Sequence, residues 1–85
     1  ERILWEDRSD RRFNSFILSG GVLVGAGHPE AKREEPFLVA MKVEDGSDLW
    51  SEKLPAPAVK GGCAIDAAGR IVVVLENGEA ICFAP

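Results

Sequence analysis

The sequence predicts an all-β chain of two four-stranded antiparallel propeller blades, one complete and one composite. Three observations predict it. Tryptophan recurs at a spacing of 45 residues, Glu1-Arg2-Ile3-Leu4-Trp5 returning as Gly46-Ser47-Asp48-Leu49-Trp50. After each tryptophan a polar stretch gives way to a strand, a glycine turn and an aliphatic strand: Phe16 to Val24 the first time, Cys63 to Val74 the second. Strand signals outnumber helix signals throughout. A period in the forties made of short strands is the signature of blades, which must stack to bury their faces.

Taken in chain order, residues 1–8 read as an outer strand (Ile3 to Glu6) that carries Trp5 and belongs to the composite blade. Arg8, Arg11 and Arg12, interleaved with Glu6, Asp7 and Asp10, read as a solvated loop of mixed charge. Residues 13–54 hold the complete blade. Its first strand ends at the Gly20-Gly21 turn, Val22 to Gly25 is the middle strand, and Phe37 to Val43 is the third. Between them, Ala26 to Pro36 contains two prolines and alternating charge, which marks a surface excursion. His28, Glu30, Lys32, Arg33 and Glu34 make it the candidate interaction loop, since loops vary while a sheet positions them. Glu44-Asp45-Gly46 turns the chain into Ser47 to Leu54, the outermost strand, with Trp50.

Pro55-Ala56-Pro57-Ala58 is a stiff connector, because proline fixes φ and removes a ladder donor. Residues 59–85 supply the inner three strands of the composite blade. Gly61-Gly62 permits a close backbone approach. Asp66-Ala67-Ala68-Gly69 is a turn with Gly69 at a left-handed position. Ile71 to Leu75 is a continuous aliphatic run, suited to a strand covered on both faces. Asn77-Gly78 signals a type I′ hairpin, and Glu79 to Phe83 returns. The chain thus opens with an outer strand and closes with three inner ones, complements that complete one blade between them. Two blades leave outer faces rich in apolar residues, so further blades are the expected partners, from a longer chain or from other copies by head-to-tail strand exchange. Three copies would close six blades and four would close eight.

Composition bounds the function. The 85 residues are 46% apolar and 28% charged, with a net charge of −4, which fits a globular domain and argues against nucleic acid or an anionic membrane surface. No apolar run approaches the roughly 20 residues that span a bilayer. Cys63 and Cys82 fall on strands separated by a third, about 9–10 Å apart, too far for a disulfide; both read as small buried hydrophobes. His28 is the single histidine and has no Cys, Ser or second His near it in sequence. Asp66 reads as a turn-former. Gly25-Ala26-Gly27 lacks the third glycine and the helix of a phosphate loop. No catalytic, cofactor-binding or metal-binding residue is assigned.

Val39-Ala40-Met41-Lys42-Val43-Glu44-Asp45-Gly46-Ser47-Asp48-Leu49-Trp50 resembles the repeat of pyrroloquinoline-quinone-type propellers, Ala-x-Asp-x-x-Thr-Gly-x-x-x-Trp. Ala40, Gly46 and Trp50 match it; Lys42 stands where Asp is usual and Asp45 where Thr is usual. Gly69-Arg70-Ile71-Val72-Val73-Val74 and Gly78-Glu79-Ala80-Ile81-Cys82-Phe83 are similar to its second and third strands, with Cys82 in the alanine slot. The resemblance implies that Trp5, Trp50, Ala40, Gly46, Gly69 and Gly78 serve blade docking, and that the protein is bacterial and periplasmic or secreted. It implies a non-catalytic scaffold or protein-interaction segment. The alternative it carries is a piece of a quinoprotein dehydrogenase, whose pyrroloquinoline quinone and calcium would sit on other blades.

Overall fold

The computed structural model describes Glu6 and residues 10–84, and among them it is all-β, with no helix. β1 (Arg11–Ser19), β2 (Val22–Pro29), β3 (Phe37–Lys42) and β4 (Asp48–Lys53) form a four-stranded antiparallel meander. β5 (Ala58–Ile65), β6 (Ile71–Leu75) and β7 (Ala80–Phe83) form a three-stranded one. The expected outer strand Ile3 to Glu6, with Trp5, lies outside the described residues except for Glu6, which is exposed and belongs to no strand.

Turn chemistry sets the hairpins. Gly20 and Gly21 have φ of 55° and 81° and join the paired residues Ser19 and Val22, the geometry of a type I′ turn. Asn77-Gly78 departs from that expectation, because among the described residues only glycines have positive φ. Leu75 N donates to Glu79 O (2.8 Å) and Gly78 N to Leu75 O (3.0 Å). The loop is therefore three residues, Glu76 to Gly78, with only Gly78 (φ 91°) left-handed.

The structure also corrects the first hairpin. β2 runs on through Ala26 and Gly27 to Pro29, four residues past its expected end, and β1 begins at Arg11. Gly27 is the reason. Its Cα lies so close under the Arg12–Phe13 backbone that any Cβ would clash with it, so a glycine that reads as a loop residue permits strand pairing there. Asn14 is the extra residue at the irregularity between Phe13 and Ser15. Arg11 and Arg12 are strand residues rather than part of a solvated loop. Arg11 pairs with Asp48 (3.1 Å) and lies 5.4 Å from the Phe13 ring centre; Arg12 pairs with Glu30 (2.6 Å). β5 likewise starts at Ala58, inside the expected connector, and bulges between Ala58 and Cys63. Gly62 does make a close backbone approach there: a Cβ would sit 2.9 Å from the carbonyl oxygens of both Val59 and Val74.

The main core lies between the sheets, where Val24, Ala26, Leu38 and Ala40 meet Ile71, Val73, Leu75 and Ala58. A second group, Val39 and Met41, is buried on the other face of the four-stranded sheet. On that face the Phe13 ring packs on Phe16 (4.9 Å) and edge-on to Phe37 (5.8 Å). β6 is covered on one face only: Ile71, Val73 and Leu75 are buried, whereas Val74 is 41% exposed. An all-aliphatic strand signals two covered faces, but among the described residues only one face has a sheet against it. For the same reason Cys82, expected to be buried, is exposed, while Cys63 is half-buried against the core. Both thiols are free, and β6 separates their strands.

The sheets meet as a wedge. β1 lies against β5, β2 also approaches β5, and β4 and β7 diverge. Hydrogen-bond direction shows which faces meet. Val43 N donates to Gly21 O (3.0 Å), so Gly21 points its carbonyl toward β3. By alternation Val22, Val24 and Ala26 point their polar groups toward the inner strand, β1. Leu75 N donates to Glu79 O (2.8 Å), so Leu75, Val73 and Ile71 point theirs toward the outer strand, β7. In L-residues, strand direction and the direction of the backbone polar groups together fix the side-chain face. The interface therefore joins non-equivalent faces. With β1 and β5 at the spine, β2 and β6 run the same way, and a rotation about the spine relates the two sheets.

Candidate functional site

Polar residues embedded in the apolar run of β1 stitch the spine. Ser15 is buried, and its Oγ accepts the Cys63 N–H at 3.1 Å. Asn14 Nδ2 donates to the Ala58 carbonyl at 2.8 Å, while its Oδ1 is buried without a partner. The sequence reading did not assign either residue. The available signal was the polar Asn-Ser pair inside Phe13-Asn14-Ser15-Phe16-Ile17-Leu18.

Where the sheets diverge, a cleft of about 450 Å³ opens between Val24, Ala40, Trp50 and Glu52 on one side and Ile71 and Phe83 on the other. Ala40 is buried on the inter-sheet face, directly opposite Trp50 on β4. Trp50 is 38% exposed and forms part of the cleft wall. Its neighbours are almost all apolar, so the cleft suits packing of apolar groups rather than acid–base chemistry. Gly46 (φ 76°) and Gly78 (φ 91°) are turn residues outside the inter-sheet core, and Gly69 (φ 83°), also in a turn, lines the cleft. Trp5 lies outside the described residues.

The candidate interaction loop is shorter than its sequence suggests. Only Glu30 to Pro36 leaves the sheet, folded by bonds from Lys32 N to Pro29 O (3.1 Å) and Glu35 N to Lys32 O (3.1 Å). His28 belongs to β2, and its Nδ1–H donates to the Pro29 carbonyl at 2.8 Å. His28, Glu30 and Arg33 border a shallow groove together with Arg12. Glu30 bonds Arg12 there, which raises the Arg12 guanidinium above its usual range. Lys32 pairs with Glu35 (3.6 Å), and Glu34 is exposed. The loop thus presents balanced charge without a single dominant sign.

The remaining candidates for chemistry are occupied by local structure. Asp66 Oδ1 accepts the N–H of Ala68 and of Arg70, each at 2.9 Å, and Arg70 Nε bonds Oδ2 at 2.6 Å. The Arg70 amide chiefly holds the Asp66 carboxyl below the usual range. Asp45 is lowered in the same way by the Ser47 hydroxyl (2.7 Å) and amide (2.9 Å). Asn77 Oδ1 accepts the Glu79 N–H (3.0 Å) and closes its own turn. Among the described residues, no three His, Cys, Asp or Glu side chains converge as metal ligands. Comparison with protein-family models, curated proteins and solved structures finds no match to this chain.

Proposed function

We propose that this chain is a two-blade β-propeller segment of the pyrroloquinoline-quinone-type repeat, acting as a non-catalytic scaffold or protein-interaction module. The carrying observation is the rotational relation between the sheets, with β1 and β5 innermost and unlike faces in contact. That is the relation between neighbouring propeller blades, whereas a sandwich of like faces would need a two-fold. The sequence repeat supports the same reading, since Ala40 and Trp50 form the cross-strand pair that the motif aligns. In this reading residues 1–8 supply the fourth strand of the second blade, and the partners are further blades, in a bacterial, extracytoplasmic setting.

The non-catalytic part of the proposal rests on how the polar residues are used: His28, Asp66 and Asn77 each serve their own turn or strand end. Its test is to mix the full-length parent protein that carries this segment with pyrroloquinoline quinone and calcium, then separate it by gel filtration, since the alternative places the cofactor on other blades. The expected result is protein eluting without the quinone's absorbance. A stoichiometric chromophore in the protein fraction would overturn the reading in favour of a quinoprotein dehydrogenase segment.

A further inference from the structure

The interface seen once inside the molecule has counterparts on the outer faces: the second sheet's is open, and the first sheet's is open at Phe16 and Leu18, while Val39 and Met41 on that same face are already buried. Aligning Phe16-Ile17-Leu18 with Cys63-Ala64-Ile65, and Ala40 with Cys82, gives the two sheets a common register. Val24 lies between Ile17 and Ala40, and Val72 between Ala64 and Cys82. One step along, Ala26 pairs with Leu38 as Val74 pairs with Ala80. In the first sheet this face is buried against the second sheet: Val24, Ala26, Leu38 and Ala40 are all core. In the second sheet the same positions lie open. Val74 is 41% exposed, and Ala64, Ala80 and Cys82 are exposed as well.

The opposite faces repeat the pattern. Cys63 and Ile65 of β5 pack on the inter-sheet core, whereas their counterparts Phe16 and Leu18 are 53% and 63% exposed. Side-chain size repeats as well. In the formed interface, an alanine-bearing face (Ala26, Ala40) receives larger groups (Ile65, Ile71, Phe83). The free face of the second sheet is again small (Ala64, Ala80, Cys82), and the free face of the first carries Phe16 and Leu18. Exposed apolar patches of this kind mark association surfaces.

We infer that a second copy of this chain docks its Phe16/Leu18 face on the Val74/Cys82 face, reproducing the internal interface between molecules. The inference rests on the proposed blade arrangement and deepens it. The contact is head-to-tail, so each copy keeps one donor and one acceptor face, and the assembly grows until rotation closes it.

Complementary variants test it by sedimentation velocity. Wild-type protein sediments above the 9.2 kDa monomer as concentration rises. Val74→Glu blocks one face and Leu18→Glu the other, and each alone is a folded monomer by circular dichroism. Mixed one to one, they form a dimer and nothing larger, because one intact donor face and one intact acceptor face remain. A mixture that stays monomeric, or either variant dimerising alone, overturns the inference. Should a variant fail to fold, wild-type thiol mapping replaces it: Cys82 alkylation slows several-fold with rising protein concentration while that of Cys63 is unchanged. Equal Cys82 rates at all concentrations overturn the inference equally. A folded wild-type monomer that keeps the Val24–Val73 contact ends only this inference; a monomer that lacks the contact ends the blade arrangement too.

Discussion

At the residue scale, single polar side chains decide where the two sheets are pinned. Ser15 Oγ is the acceptor for the Cys63 amide across the spine. Ser15→Ala leaves that amide without its partner and should cost about 1–3 kcal/mol. Urea unfolding checks this, and a change within a few tenths would show that water replaces the hydroxyl. Asp66 acts through its charge. Its folded-state affinity for protons is lowered, so its contribution is complete above the unfolded carboxyl pKa of about 3.9 and is lost as pH falls through the lower folded value. The Asp66 carboxyl carbon, followed by NMR, should titrate with a midpoint below that of an Asp in an unstructured peptide. A midpoint at or above it would contradict the bonds to Ala68 and Arg70.

Elements divide into those written locally and those written by their neighbours. The Gly20-Gly21 turn, the Asp66 turn and the aliphatic β6 are legible because backbone preference and side-chain bonding act over a few residues. The continuation of β2 is not. Ala26, Gly27 and His28 look like loop residues, and only the Arg12–Phe13 backbone opposite makes Gly27 a strand residue. Charge misled the reading of Arg11 and Arg12, whose partners Asp48 and Glu30 are 37 and 18 residues away. The true excursion is therefore Glu30 to Pro36. Replacing Glu30 to Glu35 with Asn-Gly should leave stability nearly unchanged, since loop entropy varies slowly with length. Extending the deletion back to Ala26 should unfold the protein, because Ala26 is core and pairs with Leu38. Thermal melts of the two deletions distinguish the cases; equal melting temperatures would show that this strand extension adds nothing. Within β3, Leu38→Ala should cost about 2–5 kcal/mol, as for other fully buried leucines.

For the whole molecule, the candidate site follows from the burial pattern more than from any chemical motif. The family resemblance implies blade docking for Ala40 and Trp50 among six residues, and these two stand opposite each other beside the inter-sheet cleft. The sequence could not show that β6 has one bare face, because alternation is invisible in a run of Ile and Val. The face that stays bare is set by what packs against it. The central claim is that unlike faces of the two sheets meet, and methyl NOE spectroscopy of the intact chain tests it most directly. The account predicts contacts from Val24 and Ala40 to the methyls of Ile71 and Val73 in β6. Contacts from Val24 and Ala40 to Val72 and Val74 instead would mean that like faces meet, and would contradict the rotational stacking from which the proposed function is argued.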